Sequence, residues 1–275
     1  VVHRAMYNPP GRYHSNPMTH ATGASQWSAP HGFWGPPTHM AITYNEYMQR
    51  YGATREHMAT VVVGGREAGA KLPWSHWSGK PITTDDYLGA RMIAEPMSML
   101  DCDIPVTGVG AFVLTSRERA ADLPHKPVYV AGYAQGRSHV VDSGVGPWRL
   151  DDLQRGGRAV ADILWENTGL QPSDIDVPQV YDAFTPFVYF WLEALGFCEF
   201  GEAFEYVQDP SRTAGLPFRT GGGAVGNGRM HGVPQMLEVY LQLSQRAGDR
   251  QLPKAETGIA CQAAPSIGGV VEYST

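Results

Sequence analysis

The sequence predicts an α/β fold. Stretches with the 3.6-residue apolar period of helices alternate along the chain with short β-branched runs that are typical of strands, and glycine or proline separates most of them. The 275 residues are 43% hydrophobic and 17% charged. A chain of this size and composition can bury a sizeable core, either in one large domain or in two smaller ones.

The composition argues against several classes of function. The formal net charge is −6 and the sequence has no stripe of lysine and arginine, which argues against a nucleic-acid partner. No apolar stretch is long enough to span a membrane, and the first residues lack the pattern of a signal peptide, so we expect a cytoplasmic protein. Cys102, Cys198 and Cys261 lie far apart without CxxC spacing, which predicts neither a zinc site nor a disulfide framework.

The first part of the chain predicts a long loop and several short elements. Residues 1–6 have the pattern of a buried strand. Residues 9–40 are rich in Pro, Gly, His and Trp, which indicates an irregular loop with the aromatic anchors Trp27, Phe33 and Trp34. The sequence then predicts, in order, a helix over 38–51 that ends at Gly52, a helix from Thr54 onward, a buried strand over 109–115 and a short helix over 117–122.

The second part predicts a regular alternation of strands and helices. A strand over 128–131 is followed by a helix that Asp151 or Asp152 can cap and that Gly169 ends. Its apolar stripe is Leu153, Gly157, Val160, Ala161 and Leu164. The later elements are a strand over 174–181, a helix whose apolar face is Met236, Leu237, Tyr240, Leu241 and Ser244 and that Gly248 ends, and two paired strands over 258–261 and 268–273.

A glycine-rich segment and a short polar segment together indicate a functional site. Six glycines fall within residues 221–232, directly before the helix that Pro234 opens. Such a density means that the backbone packs closely against something or adopts positive φ. The other segment is 179–185, which contains Tyr181-Asp-Ala-Phe184 and follows a predicted strand.

Several motifs in a fixed order carry a family resemblance. They are Asp174-Ile-Asp-Val, Tyr181-Asp-Ala-Phe184, Gly222-Gly223 with Asn227-Gly228, the polar segment 242–251, and Ser266-Ile-Gly-Gly269. Together they resemble the C-terminal half of the thiolase superfamily, in the branch of the sterol-carrier thiolases and the lipid-transfer-protein aldolases. Two upstream segments, 51–57 and 90–102, are similar to the same branch, so the resemblance covers nearly the whole chain.

The resemblance implies a thiolase-like, five-layered α-β-α-β-α fold whose N-terminal half is incomplete in this chain. Residues 1–126 then form a partial N-terminal half with an inserted loop domain at about 9–96, and residues 127–275 form the C-terminal half. Family members carry further strand and helix units before the position of Val1, including the helix that presents a nucleophilic cysteine.

Three departures from the thiolase pattern decide the expected chemistry. Thiolases need cysteine and histidine for acyl transfer. This chain has Gly228-Arg-Met230 where the family has Gly-His-Pro, and Ser266 where the family has the second cysteine. It also has Tyr181 where the family has asparagine or histidine. Thiolytic transfer is therefore not expected from this part of the chain.

The lipid-transfer-protein aldolases have a similar Tyr-Asp-Ala-Phe, with tyrosines in the acid/base roles, and His231 stands where the second tyrosine is expected. The resemblance thus implies retro-aldol cleavage of a β-hydroxyacyl-CoA, plausibly one with a steroid or other lipid side chain. We expect Tyr181, His231 and Asp182 in the catalytic group and amides of the glycine segment as donors to the thioester oxygen. The expected substrate-binding residues are Arg229, Gly222, Gly223, Asn227, Gly228, Ser266 and Gly268. Such a reaction needs no cysteine, metal or organic cofactor, and the CoA thioester is its substrate.

Each assignment has a structural alternative. Tyr181 can be a half-buried aromatic, and Asp182 can bond backbone beside the site. His231 can be a polar residue at a helix start, Arg229 can pair with a carboxylate, and the glycines can serve packing alone. Two other functions also remain open: an acyl-CoA or lipid-binding protein without turnover, and a thiolase whose nucleophilic cysteine precedes Val1. By resemblance, the full-length form dimerises and works with a small acyl-CoA-binding partner of OB-fold and zinc-ribbon type.

Overall fold

The computed structural model describes residues 1–6, 22–33, 35–136, 149–213, 218–265 and 269–275. The elements up to residue 126 are β1 (Val2–Ala5), α1 (Pro36–Tyr51), α2 (Arg55–Ala70), α3 (Thr84–Leu88), β2 (Met92–Ala94), β3 (Met97–Ser98), β4 (Gly108–Ala111) and α4 (Arg117–Ala120). Strands β1 and β4 form one antiparallel pair, and β2 and β3 form another. The predicted helices are confirmed, and their start and stop signals act as expected.

The caps show why α1 and α2 are separate helices. Gly52 adopts φ 83° and donates its N–H to the carbonyl of Met48, which ends α1 in a left-handed turn. Thr54 then caps α2, and its backbone N–H donates to Nδ1 of His57 at 2.9 Å. Thr54, which has an extended backbone, therefore separates the two helices and caps the second one.

The strands predicted near the chain start and within 109–115 are present as β1 and β4, but the prediction that they are buried is wrong. Val1 and Val2 are 75% and 69% exposed, and Val109, Val113 and Leu114 are also exposed. The reason is that β1 and β4 pair only with each other among the described residues, and that only one face of the pair is covered. Gly108 and Gly110 face Met230 and Val233 on the covered side, whereas Val2 and Val109 lie on the exposed side. Trp27 is also exposed and not the predicted anchor, whereas Phe33 stacks on His39. Trp34 lies outside the described residues.

The elements of the second part are β5 (Tyr129–Gln135), α5 (Leu150–Thr168), β6 (Val177–Gln179), α6 (Pro186–Leu195), α7 (Ala203–Tyr206), α8 (Pro210–Thr213), α9 (Gly223–Asn227), α10 (Val233–Leu243), β7 (Thr257–Gln262) and β8 (Gly269–Ser274). The four strands form one sheet in the order β5-β8-β7-β6. Strands β6 and β7 are parallel, and the other two pairs are antiparallel. Helix α5 packs on β5 and β8, and α10 packs on β6 and β7.

Helix α5 confirms the predicted apolar stripe but not the predicted cap. Leu153, Val160 and Leu164 are fully buried, and Gly169 ends the helix in the left-handed conformation. The N-cap is Arg149, because the helix begins at Leu150 and places Asp151 inside its first turn. An acidic side chain there still complements the partial positive charge at the helix N-terminus.

Helix α10 is oriented differently from the prediction. Its buried side carries Gln235, Glu238, Val239, Gln242 and Leu243, and the predicted apolar face is only partly buried. The polar side chains are buried because each has hydrogen-bond partners in the neighbouring segments; Gln242, for example, contacts Glu238, the Arg250 carbonyl and the Leu252 amide. The helix ends before Ser244, so the predicted end at Gly248 is also wrong.

Helix α6 was not predicted from the sequence. All ten of its residues are buried, so the apolar period that marks a surface helix is absent. Its Glu193 is fully buried and accepts hydrogen bonds from Tyr47, from Gln154 and from the amide of Gly201. This carboxylate ties α6 to α1, α5 and the start of the α7 segment.

Candidate active site

The candidate site lies where β6 and β7 end. In this parallel pair Gln179 is opposite Ala260, so the next residues of both strands leave the sheet at the same edge. Tyr181 follows β6 there, and its backbone contacts the Cys261 thiol. Gly232 lies against the side chain of Gln262 at the end of β7. Tyr181 and His231 therefore border the same end of β7, as the two sequence segments predict.

Tyr181 is 4% exposed and belongs to the hydrophobic core, together with the nearby Ala183 and Phe184. This burial excludes the alternative of a half-buried aromatic with a solvated hydroxyl. The segment 101–105 runs alongside, because the Asp103 amide donates to the Ala183 carbonyl at 2.8 Å and the Thr185 amide donates to the Asp101 carbonyl at 3.0 Å. The residues after β6 are thus held by backbone hydrogen bonds from the opposite side of the site.

Asp182 accepts hydrogen bonds from three donors. The backbone amides of Ala224 and Val225 donate to its carboxylate at 2.6 and 3.2 Å, and Nε2 of Gln235 donates at 2.8 Å. Burial raises the pKa of this carboxyl to about 6, although the backbone amide donors and the charge of Arg219 act in the opposite direction. At neutral pH the carboxylate is therefore ionised and links α9 to α10.

The glycine segment packs against protein. A side chain on Gly223 would overlap the carboxylate of Asp182, and one on Gly222 would approach the amide nitrogen of Gly69 to 2.8 Å. Both glycines have positive φ, 75° at Gly222 and 61° at Gly223. Gly226 similarly faces the Gly65 carbonyl. The packing of α9 on α2 and on Asp182 therefore accounts for these glycines without a ligand.

Five amides of the glycine segment, which was expected to bind the thioester oxygen, already have acceptors within the protein. Ala224 and Val225 donate to Asp182, and the amides of Gly226 and Gly228 donate to carbonyls of the same segment. The Arg229 amide donates to the Ile104 carbonyl at 2.7 Å. These amides are satisfied within the protein, so they do not form a vacant oxyanion site.

Arg229 pairs with a buried carboxylate. Its Nε lies 3.7 Å from Oδ1 of Asp103, whose side chain is completely buried. The pairing favours the structural alternative for this arginine, since the guanidinium charge is largely balanced before any substrate binds. The same guanidinium also lies close enough to His231 to affect the protonation of that imidazole.

His231 has an unusual backbone and a shifted imidazole. Its φ is 49°, a left-handed conformation that few residues other than glycine adopt, and its ring meets that of His3 edge-on at 5.8 Å. Partial burial, Arg229 and His3 all lower the pKa of this imidazole below its ordinary value of 6.5. The imidazole is therefore neutral at neutral pH and can accept a proton.

A cavity of about 830 Å³ lies beside the glycine segment. Two of the predicted substrate-binding residues, Asn227 and Gly228, line it; Nδ2 of Asn227 donates to the Gly223 carbonyl at 3.1 Å. Other lining residues are Trp74, His76, Met230, Leu237, Arg246 and Arg250. The two arginines are not among the binding residues predicted from the sequence, although their segment, 242–251, is one of the motifs that carry the family resemblance. Ser266 and Gly268 lie outside the described residues.

The described residues offer neither a reactive thiol nor a metal cluster. Burial raises the pKa of Cys102, Cys198 and Cys261, which disfavours their thiolates. Within the described ranges, no three His, Cys, Asp or Glu side chains are grouped so that they could hold a metal ion. In the same ranges no helix is long and apolar enough to cross a membrane.

Comparison with known proteins shows the family. Residues 151–274 match the thiolase C-terminal domain-like family. The chain is 39% identical over 223 residues, 80% of its length, to 17-hydroxy-3-oxo-4-pregnene-20-carboxyl-CoA lyase of Mycobacterium tuberculosis, of which this covers 58%. It is 37% identical over 79% of its length to a steroid side-chain-cleaving aldolase of Thermomonospora curvata, of which this covers 56%. The chain thus spans little more than half the length of these relatives.

The solved structure of an Ltp2-ChsH2(DUF35) aldolase superimposes on the whole chain with a TM-score of 0.81 and 28% identity, and the match covers 72% of that structure. A thiolase of Ascaris suum in complex with coenzyme A matches at a TM-score of 0.56 and 15% identity, which shows a shared fold. The fold is therefore thiolase-like, as the motifs predict. The chain belongs to the thiolase superfamily, in the branch of the sterol-carrier thiolases and the lipid-transfer-protein aldolases.

Proposed function

We propose that the protein cleaves a carbon–carbon bond in a β-hydroxyacyl-CoA by a retro-aldol reaction, and that its substrate carries a steroid or other bulky lipid group. The observation that carries the proposal is the placement of Tyr181 and the neutral imidazole of His231 at one edge of the sheet, in a chain similar to two lyases of this kind. The three described cysteines have raised pKa values, which makes thiolase chemistry by these residues unfavourable.

The proposed reaction has three parts. A base removes the proton of the β-hydroxyl, and the bond between the α- and β-carbons breaks while the hydroxyl carbon becomes a ketone. The bonding electron pair passes to the α-carbon and is shared with the thioester carbonyl as an enolate. An acid then returns a proton to the α-carbon, which gives a shortened acyl-CoA. No metal or organic cofactor takes part.

Tyr181 is proposed as the acid/base group at the hydroxyl and His231 as its counterpart at the α-carbon or the thioester. A phenol with an ordinary pKa near ~10 needs a nearby positive charge or hydrogen-bond donors to act as a base. Arg229 is close in sequence to His231, but Asp103 balances its charge. At neutral pH the imidazole is therefore the member of the pair that is already in its basic form, whereas an unassisted phenol is protonated.

The partner and the cellular setting are part of the proposal. The similar solved aldolase, Ltp2-ChsH2(DUF35), has a second component beside Ltp2. We propose that this protein works with a small acyl-CoA-binding partner of OB-fold and zinc-ribbon type, forms a homodimer in its full-length form, and acts in the cytoplasm. Size-exclusion chromatography with light scattering, with and without the candidate partner, tests the assembly.

Product analysis tests the activity. The full-length protein and its partner are mixed with a panel of branched β-hydroxyacyl-CoA thioesters, and the products are identified by mass spectrometry. A ketone and a shortened acyl-CoA are expected, and Tyr181→Phe abolishes them. Tyr133→Phe is the matched control, because Tyr133 is 72% exposed on β5 and its hydroxyl lies outside the site.

A second function is favoured by the cavity beside Asn227 and Gly228, which can hold a ligand without any of the proposed acid/base groups lining it. In that case the protein binds acyl-CoA or lipid without turnover. Tight binding of panel members with no product, unchanged in Tyr181→Phe and His231→Ala, would establish this function and contradict the lyase.

A further inference from the structure

Gln235 is a buried polar residue for which the proposed chemistry has no use. It lies in the first turn of α10, is 1% exposed, and donates from Nε2 to Oδ1 of Asp182 at 2.8 Å. Its Oε1 is buried and has no hydrogen-bond partner among the described residues. An unsatisfied buried oxygen costs free energy, so a purely structural position would favour an apolar side chain such as Val239 on the same face.

The bond from Gln235 joins the two sides of the candidate site. Asp182 directly follows Tyr181, and α10 begins at Val233, two residues after His231. The same carboxylate also holds the first amides of α9. One acceptor thus fixes the chain after β6, the short helix α9 and the start of α10 relative to each other.

We propose that Gln235 and Asp182 are positioning residues: their hydrogen bond and the two amide bonds to Asp182 hold Tyr181 and His231 in the relative placement that the reaction requires. The inference rests on the proposed function, because it gives these residues a task in that same site. Asp182 was predicted in the catalytic group, but protein donors occupy its carboxylate, so we now place it among the positioning residues.

The ionised form of Asp182 is the one that holds the site together. It accepts three hydrogen bonds, whereas a protonated carboxyl has one oxygen that becomes a donor. The charge of Arg219 also favours the ionised form of Asp182, and α9 and α10 contribute neutral donors. Without the Gln235 donor the ionised form is less favoured, so the pKa of Asp182 is expected to rise. Activity is then expected to begin to fall at a higher pH than in the wild type.

The test compares two glutamines of the same helix. Gln235→Met keeps the length of the side chain and removes its hydrogen bond to Asp182. Gln242→Met is the matched control, because Gln242 is also fully buried and hydrogen-bonded but contacts Glu238 and the 250–252 segment. Both variants are made in the full-length protein, with its partner present, and kcat, KM and the pH dependence of kcat/KM are measured.

For Gln235→Met we expect kcat to fall about tenfold with little change in KM, as for loss of one hydrogen bond to a charged group, and the acidic limb to move up by about one pH unit. Gln242→Met lowers the unfolding midpoint and leaves the acidic limb in place. The proposal would be overturned if Gln235→Met changed neither kcat nor the acidic limb of the pH profile. It would also be overturned if both variants shifted that limb equally.

Hydrogen exchange separates a failure of this inference from a failure of the proposed function, because it needs no turnover. At pH 7 the amides of Ala224 and Val225 are expected to be protected in the wild type, because both donate to the carboxylate of Asp182. In Gln235→Met their protection at the same pH, after correction for intrinsic exchange, is expected to fall, because the carboxylate has lost one of the donors that fix its position. Equal protection in both proteins at this pH contradicts the positioning role whether or not the lyase activity is found.

Discussion

The buried carboxyl of Asp182 gives a quantitative prediction about stability and pH. Burial raises its pKa from 3.8 to about 6. An acid with a raised pKa in the folded protein contributes stability that is fully present below the unfolded value and is lost as the pH rises through the folded value. A difference of about two pKa units corresponds to about 3 kcal/mol at ~1.4 kcal/mol per unit. Asp182 is 5% exposed, so little solvent screening reduces this figure.

Asp182→Asn removes the titration. We expect the free energy of unfolding of the wild type, relative to that of the Asn variant, to fall by about 3 kcal/mol between about pH 4 and pH 7. Urea unfolding of both proteins, followed by circular dichroism at half-unit pH intervals, measures this difference and cancels the titration of the other carboxylates. Stability curves that stay parallel over the whole range would refute the assignment of a raised pKa to Asp182.

The remaining predictions concern packing and a buried ion. Gly69→Ala, which would place a Cβ 2.6 Å from the carbonyl carbon of the facing glycine in α9, should destabilise the protein by about 1–3 kcal/mol in urea unfolding. Gly65→Ala in the same helix is its control, because a Cβ there comes no closer than 3.4 Å to the carbonyl oxygen of Gly222; a similar loss in both variants would show that backbone separation does not matter. Tyr47→Phe removes a hydrogen-bond donor from buried Glu193 and should lower the free energy of unfolding by about 1–3 kcal/mol. The control, Tyr133→Phe at an exposed position, should lower it by less than about 0.5 kcal/mol. Equal effects of the two substitutions would contradict the role of this hydrogen bond.

Much of the fold could be predicted because its signals are local. Gly52, Thr54 and Gly169 mark helix boundaries through backbone conformation and capping, which depend on neighbouring residues alone. The period of α5 and the pairing of β7 with β8 follow from the spacing of apolar residues. The motifs around Tyr181 and the glycine segment likewise predicted the thiolase-like fold and the two sides of the site.

The predictions failed where a neighbour in space decided the outcome. An apolar run such as 109–115 predicts a strand, but whether it is buried depends on which layers cover it. Helix α10 shows the converse: Gln242 and Gln235 are buried because distant segments supply partners for their amides. Helix α6 has no exposed face and hence no apolar period to detect.

The sequence by itself determined the α/β class, the positions of most helices and strands, the family and the choice of Tyr181 and His231 as candidate acid/base groups. The tertiary structure decided what the other candidate residues do. Asp182 occupies the amides expected to bind the thioester oxygen, Asp103 balances Arg229, and Gly222 makes room for α2. Each outcome depends on a contact between residues far apart in the chain, and local sequence preferences carry no information about such contacts.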